Sequence, residues 1–125
     1  MERPVKTPGP DHPITIEPNL DRVVVRAAGK VIADTTSALT LREADYPAVQ
    51  YIPLADVAES ALRTTDTQTY CPYKGDASYY SLLTPDGEIS DAVWTYEKPY
   101  GPVAEIAGHV AFYPQHVQLT VGDAR

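Results

Sequence analysis

One cysteine in 125 residues excludes an intrachain disulfide and any zinc site built on four thiolates. No stretch approaches the roughly 18 consecutive apolar residues of a membrane-spanning helix. The opening MERPVKTPGPDHP has no apolar core of the kind a secretory signal needs. A reducing, cytoplasmic setting is therefore expected. Basic residues are scarce: ten Lys and Arg face seventeen Asp and Glu, for a formal charge of −7. That sign repels phosphate backbones and anionic lipid, so neither nucleic acid nor membrane is expected as a partner. The chain also lacks a Walker-type or GxGxxG glycine loop and a GxSxG elbow, and no cofactor is expected.

The chain has one Phe and one Trp but nine Tyr, seven of them between Tyr70 and Tyr113. A buried phenol wants a hydrogen-bond partner. The cluster therefore predicts a polar-lined concavity or a half-wet sheet surface. A hydrophobic share of 43% suits a globular chain, and the length suits one domain.

Residues 1–13 hold four prolines without periodicity and read as a flexible N-terminal arm, with residues 14–125 as a single β domain. ITIE (14–17) predicts a short strand closed by Pro18-Asn19. RVVVRAA (22–28) alternates as a half-buried strand, with Arg22, Val24 and Arg26 opposite Val23, Val25 and Ala27. Gly29-Lys30 turns it into VIADT (31–35). ALTLRE (38–43) and AVQYIP (48–53) continue the strand pattern. LADVAES (54–60) is the one convincing helical stretch, of about two turns. TQTYC (67–71), ASYYSLLT (77–84) and DAVWTYE (91–97) read as strands, with a turn signal at TPDGE (84–88). PVAEIAG (102–108) suggests one helical turn. HVAFY (109–113) and VQLTV (117–121) suggest a last hairpin across Pro114-Gln115. Short strands about ten residues apart, with little helix, predict a mainly β domain.

The stretch TYCPYKGDASYY (69–80) is the densest in chemistry. Pro72 and Gly75 fit the second and fourth positions of a type I turn opening at Cys71, with Lys74 at its tip or flank. A lysine three residues from a thiol can activate it. Without a histidine close in sequence to act as base, Cys71 reads better as a small buried hydrophobe. A hairpin turning at Pro114-Gln115 pairs His116 opposite Tyr113, four residues along the strand from His109, so the two stand about 13 Å apart at about 3.3 Å per residue, and His12 falls in the arm. No histidine metal site is expected. Glu43 with Asp45, Asp86 with Glu88, and Asp91 could hold a hard cation, but turns enrich acids for backbone reasons, and solvated turn residues are the expectation. Trp94 shares a strand face with Ala92 and Tyr96, as a core anchor or as a stacking platform for a planar ligand.

With TYCPYKGDASYYSL, DAVWTYEKP and AEIAGHVAFYP in that order, the chain resembles the DUF427 family of small, mostly bacterial proteins of unknown function. The resemblance runs from Arg22 to Val121 and includes RVVVRAAGKVIADTTSALTLRE and YPAVQYIPLADV. It implies a β-tent, Mss4-like fold: two packed antiparallel sheets with one or two short helical turns. Many proteins of that fold carry zinc on paired CxxC knuckles. Cys71 stands alone, so no metal is carried over. The family pattern falls on Cys71, Pro72, Lys74, Gly75, Tyr79, Trp94, Tyr96, Gly108 and Phe112. Backbone geometry accounts for the two glycines and packing for Phe112.

Two functions remain open from sequence. One is a pocket for a small planar or anionic ligand, lined by Lys74, Tyr79, Trp94, Tyr96 and Cys71, with Lys74 or Cys71 reacting if the domain is an enzyme. The other is a non-catalytic interaction or homodimerisation module whose tyrosines coat a flat surface. Whether Tyr79, Trp94 and Tyr96 surround a hole or coat a plane separates the two.

Overall fold

The structure is a computed structural model that describes residues 3–122. Ten strands form two antiparallel sheets: β1 (Ile14–Asn19), β2 (Val23–Ala27), β3 (Lys30–Thr35), β4 (Ala38–Glu43), β5 (Val49–Pro53), β6 (Leu62–Cys71), β7 (Gly75–Thr84), β8 (Gly87–Thr95), β9 (His109–Phe112) and β10 (Gln118–Val121). Seven strands run in the order β1-β4-β5-β9-β8-β7-β6, and three in the order β10-β2-β3. Among the described residues there is no α-helix, only 3-10 turns at Leu54–Asp56, Glu59–Ala61 and Gly101–Ile106. No helix is long and apolar enough to cross a membrane among these residues.

The large sheet has apolar residues on both faces, and the period of two assigns them. Ile52, Leu82, Val93, Val110 and Phe112 face the small sheet and close a core with Val23, Val25, Ala27 and Ile32. On the opposite face Leu41, Tyr51, Ala77, Tyr79, Tyr96 and Ala111 form a second cluster, capped by Val103 and Ile106 of the last 3-10 turn. Position parity alone sends Tyr79 to one face and its neighbour Tyr80 to the other. The candidate site lies on the second face.

Several local expectations give way to long-range pairing. The 54–60 stretch is two 3-10 turns rather than a helix, because Val57 is extended and bridges Ala33 of β3. Filling the inter-sheet core with Val57 outweighs the helical propensity of the segment. Residues 109–121 are no hairpin: β9 inserts between β5 and β8, while β10 crosses to pair with β2. β2 is also more buried than its alternation suggests. Val24 is covered along with Val23 and Val25, since β2 is the middle strand, flanked in register by Thr120 and Asp34. β1 runs on through Pro18 to Asn19, which an edge strand tolerates.

One irregularity crosses three strands. The β6–β7 register shifts between Thr64 and Gln68, and the β7–β8 register between Tyr80 and Leu82. At that level Asp91 takes a left-handed φ of 52° and accepts hydrogen bonds from the Thr65 and Thr67 hydroxyls, both at 2.7 Å. Those two bonds hold its carboxyl below the usual range. Asp91 is thus a bulge residue with specific partners, not a solvated turn acid.

The β6–β7 turn differs in detail from its sequence expectation. The Lys74 amide donates to the Cys71 carbonyl at 3.2 Å, so Lys74 holds the fourth turn position. Gly75 comes next, with φ of 106°. Gly75→Ala is expected to cost about 1–2 kcal/mol through that conformation. A urea midpoint that does not move would contradict it, since a Cβ there would meet only ordinary contacts, the nearest being the Lys98 carbonyl at 3.5 Å.

Candidate functional site

Five neighbouring strands send alternate residues to one place. Leu41 and Glu43 come from β4, Val49 and Tyr51 from β5, Trp94 and Tyr96 from β8 and its end, Tyr79 from β7, and Tyr113 from just after β9. Together with Lys74 of the hairpin turn they line a half-open cavity of about 240 Å³, with Tyr46 and Pro47 completing its wall. Tyr79 and Trp94 are register partners, so their rings share one rung of the sheet. Trp94 stands between Tyr51, edge-on at 6.4 Å, and Tyr113, tilted at 4.6 Å. Its indole Nε1–H donates to the Tyr51 hydroxyl at 3.1 Å.

At one end of the cavity sits a charged cluster. Lys74 is only 9% exposed and donates to Glu43 Oε1. The other carboxylate oxygen accepts from His12 Nε2 at 2.7 Å. Burial pushes the Glu43 carboxyl up, and the bonds from Lys74 and His12 overcome this and hold it below the usual range. The Lys74 ammonium also stands 5.8 Å over the Tyr96 ring.

The hairpin that carries Lys74 is pinned from two sides. Tyr100 N–H donates to the Lys74 carbonyl at 3.1 Å, and the Tyr70 and Tyr100 hydroxyls meet at 2.8 Å. On the other side lie residues 3–12 of the expected arm. Arg3 forks onto Asp76, the Tyr70 hydroxyl donates to the Pro4 carbonyl at 2.6 Å, and Lys6 N–H donates to the Pro72 carbonyl at 2.9 Å. His12 then stacks on Tyr73 at 4.0 Å before reaching Glu43.

The phenols are held protonated. Burial drives the Tyr51 and Tyr96 hydroxyls far above their ordinary range. Tyr113 is pushed up to about 12, by burial and then by the neighbouring Tyr79 hydroxyl. Tyr79 itself shares a hydrogen bond with the Thr69 hydroxyl at 2.9 Å.

Of the residues singled out from sequence, Lys74, Tyr79, Trp94 and Tyr96 meet at this cavity. Cys71 is not among its lining residues; it packs with the second apolar cluster. Sequence reasoning missed Glu43, His12, Tyr51 and Tyr113. Its place just before Asp45 and Pro47 groups Glu43 with the solvated turn acids, yet it follows Leu39 and Leu41 on the inward face of β4. That period of two is the signal that identifies it. Tyr51 follows Val49 in the same way. His12 has no local signal.

A larger concavity, of about 520 Å³, opens on the opposite face and is lined by Leu54, Val57, Leu62, Thr64 and Tyr80. Glu59 is its one charged group. It lacks the converging polar groups of the Trp94 cavity.

The family model described as a domain of unknown function (DUF427) matches residues 15–123. The chain belongs to the DUF427 family. No curated protein matches it. The stretch matched in this DUF427 chain carries every cavity residue named above and starts after His12, so the histidine that completes the charged cluster comes from outside it.

Four carboxylates, Glu43 of the cluster among them, give this DUF427 protein a defined acid response. Glu43, Asp34, Asp76 and Asp91 all have folded pKa values below the ordinary carboxylate range. Their stabilisation is complete above about pH 4.3 and is lost as pH falls through the folded values. The urea midpoint is expected to fall as the pH drops below about 4.5. Glu43→Gln should make that fall shallower. An unchanged slope in the variant would show that the cluster does not titrate with folding.

Proposed function

We propose that the DUF427 domain binds a small planar ligand in the Trp94 cavity. The observation that carries this reading is geometric: Tyr79, Trp94 and Tyr96 surround a hole instead of coating a plane. A dry apolar cavity of about 150 Å³ takes a benzene ring, so about 240 Å³ suits one substituted ring or two fused ones. Aromatic faces with a few fixed polar groups are the usual composition of such sites. Of the planar and anionic options, the planar one is better supported. Lys74, the cation at the cavity, is already neutralised by Glu43.

The interaction-module alternative has less behind it. The exposed large apolar residues Val5, Leu20, Val31, Tyr46, Leu54 and Val121 lie on six different segments. The edges of the large sheet are blunted by Pro18 in β1 and by the irregularity in β6.

A thermal-shift screen of one- and two-ring compounds tests the proposal, run on the wild type and on Lys74→Ala. A compound that stabilises the wild type and loses its effect in the variant supports a site that includes Lys74. A compound that stabilises both equally removes Lys74 from it.

A further inference from the structure

The hydrogen-bonding capacity of the cavity is unbalanced. Tyr96 is 7% exposed, and among the described residues nothing bonds its hydroxyl. No fully buried side-chain nitrogen or oxygen lacks a partner, so that hydroxyl keeps contact with open space. Tyr96 is one of the residues that line the cavity, and its hydroxyl carries an unspent donor beside an oxygen that can also accept. The Tyr51 oxygen accepts from Trp94, which leaves its own proton free as well. Lys74 has three N–H bonds and spends one of them on Glu43. Acceptor capacity is more heavily drawn on, because each Glu43 oxygen already accepts a charge-assisted bond, one from Lys74 and one from His12, and the Tyr51 oxygen accepts from Trp94. Burial keeps the Tyr51 and Tyr96 phenols protonated, so they remain donors. The charges near the cavity are meanwhile compensated within the cluster.

We infer that the cavity selects uncharged planar rings that carry a hydrogen-bond acceptor, a carbonyl oxygen or a ring nitrogen, and that the Tyr96 hydroxyl donates to that acceptor. The inference rests on the cavity being a ligand site and names the class of ligand. Aromatic walls supply area without direction, and the donor surplus supplies the direction. A ring whose only polar group is a donor would find lone pairs on oxygens already drawn on by Lys74, His12 and Trp94, and would leave the Tyr96, Tyr51 and spare Lys74 protons unpaired. A cationic ring gains from the aromatic faces but offers no acceptor to the Tyr96 hydroxyl, and its charge has no uncompensated partner in the cluster.

Quinoline, indole and N-methylquinolinium have nearly the same shape and differ in this one respect: acceptor, donor and cation. Each is titrated into the protein while the Trp94 Nε1–H resonance is followed; the chain has one tryptophan, so the signal is unambiguous. Quinoline is expected to bind the wild type more tightly than either of the others. Tyr96→Phe should weaken quinoline about threefold to tenfold, the size of one neutral hydrogen bond, and change indole less than twofold. Indole binding as tightly as quinoline, N-methylquinolinium binding more tightly, or quinoline indifferent to Tyr96→Phe would each overturn the inference and leave the cavity as a binding site. If none of the three moves the Trp94 signal, the binding reading itself fails and the inference with it. The wild-type ranking stands as a test even if the variant folds poorly.

Discussion

Glu43→Ala is expected to destabilise the protein by about 2–3 kcal/mol. Removing one partner of a buried ion pair leaves the other charge without compensation, which typically costs 3–5 kcal/mol. Lys74 and Glu43 keep 11% and 13% of their side-chain surface, so the lower figure applies. Lys74 cannot simply swing into water, because its backbone is held by Cys71 and Tyr100. The double variant Glu43→Leu with Lys74→Met should recover much of the loss, since two apolar side chains leave no orphan charge. Chemical denaturation of the two single variants and the double variant forms the cycle. Additive losses would mean the pair is not coupled, and the central role of the cluster would be lost.

The second large effect lies in the core between the sheets. β5 joins β9 through only two register pairs, Ile52 with Val110 and Pro53 with His109. Across this narrow seam the β1-β4-β5 half of the large sheet meets the β9-β8-β7-β6 half. Ile52 has no exposed surface and packs with Val110 and Val93 against the small sheet. Ile52→Ala is expected to cost about 3 kcal/mol, from lost transfer energy and a cavity the stiff seam cannot refill. Leu54→Ala, two residues on and 40% exposed, should stay within about 0.5 kcal/mol. Equal effects of the two substitutions would contradict the assignment of the core.

The cavity wall was legible in sequence where one strand carries its own pattern. Trp94 and Tyr96 are spaced by two in a strand, and Tyr79 occupies an alternating position in the next one. Their convergence follows from the hairpins that join β6, β7 and β8. The fold class was legible for the same reason, since strand periodicity and turn residues are local. The final pairing was not: 109–121 looks like a hairpin until β5 and β2 compete for its strands, and those partners lie far away in the chain. The 54–60 stretch shows the same competition, settled by the burial of Val57.

The charged cluster was hidden more deeply. Lys74 and Glu43 are 31 residues apart, as are Glu43 and His12. Local composition suggested that Glu43 was a turn acid, because Asp45 and Pro47 follow it. Its parity with Leu39 and Leu41 pointed inward, and parity prevails because the strand extends to Glu43 itself. For His12, twelve residues of proline-rich chain carry no period at all. Its place depends on contacts that Arg3, Pro4 and Lys6 make with a hairpin some 65 residues further on.

The central claim is that the Trp94 cavity is the ligand site of this DUF427 domain. The most direct measurement takes the best stabilising compound from the ring screen and follows the Trp94 Nε1–H resonance through a titration. That proton is bonded to Tyr51 inside the cavity wall. A saturable shift, with a midpoint that matches the thermal-shift affinity and is weakened by Lys74→Ala, is the predicted result. A compound that stabilises the protein while the Trp94 resonance stays in place would contradict the claim.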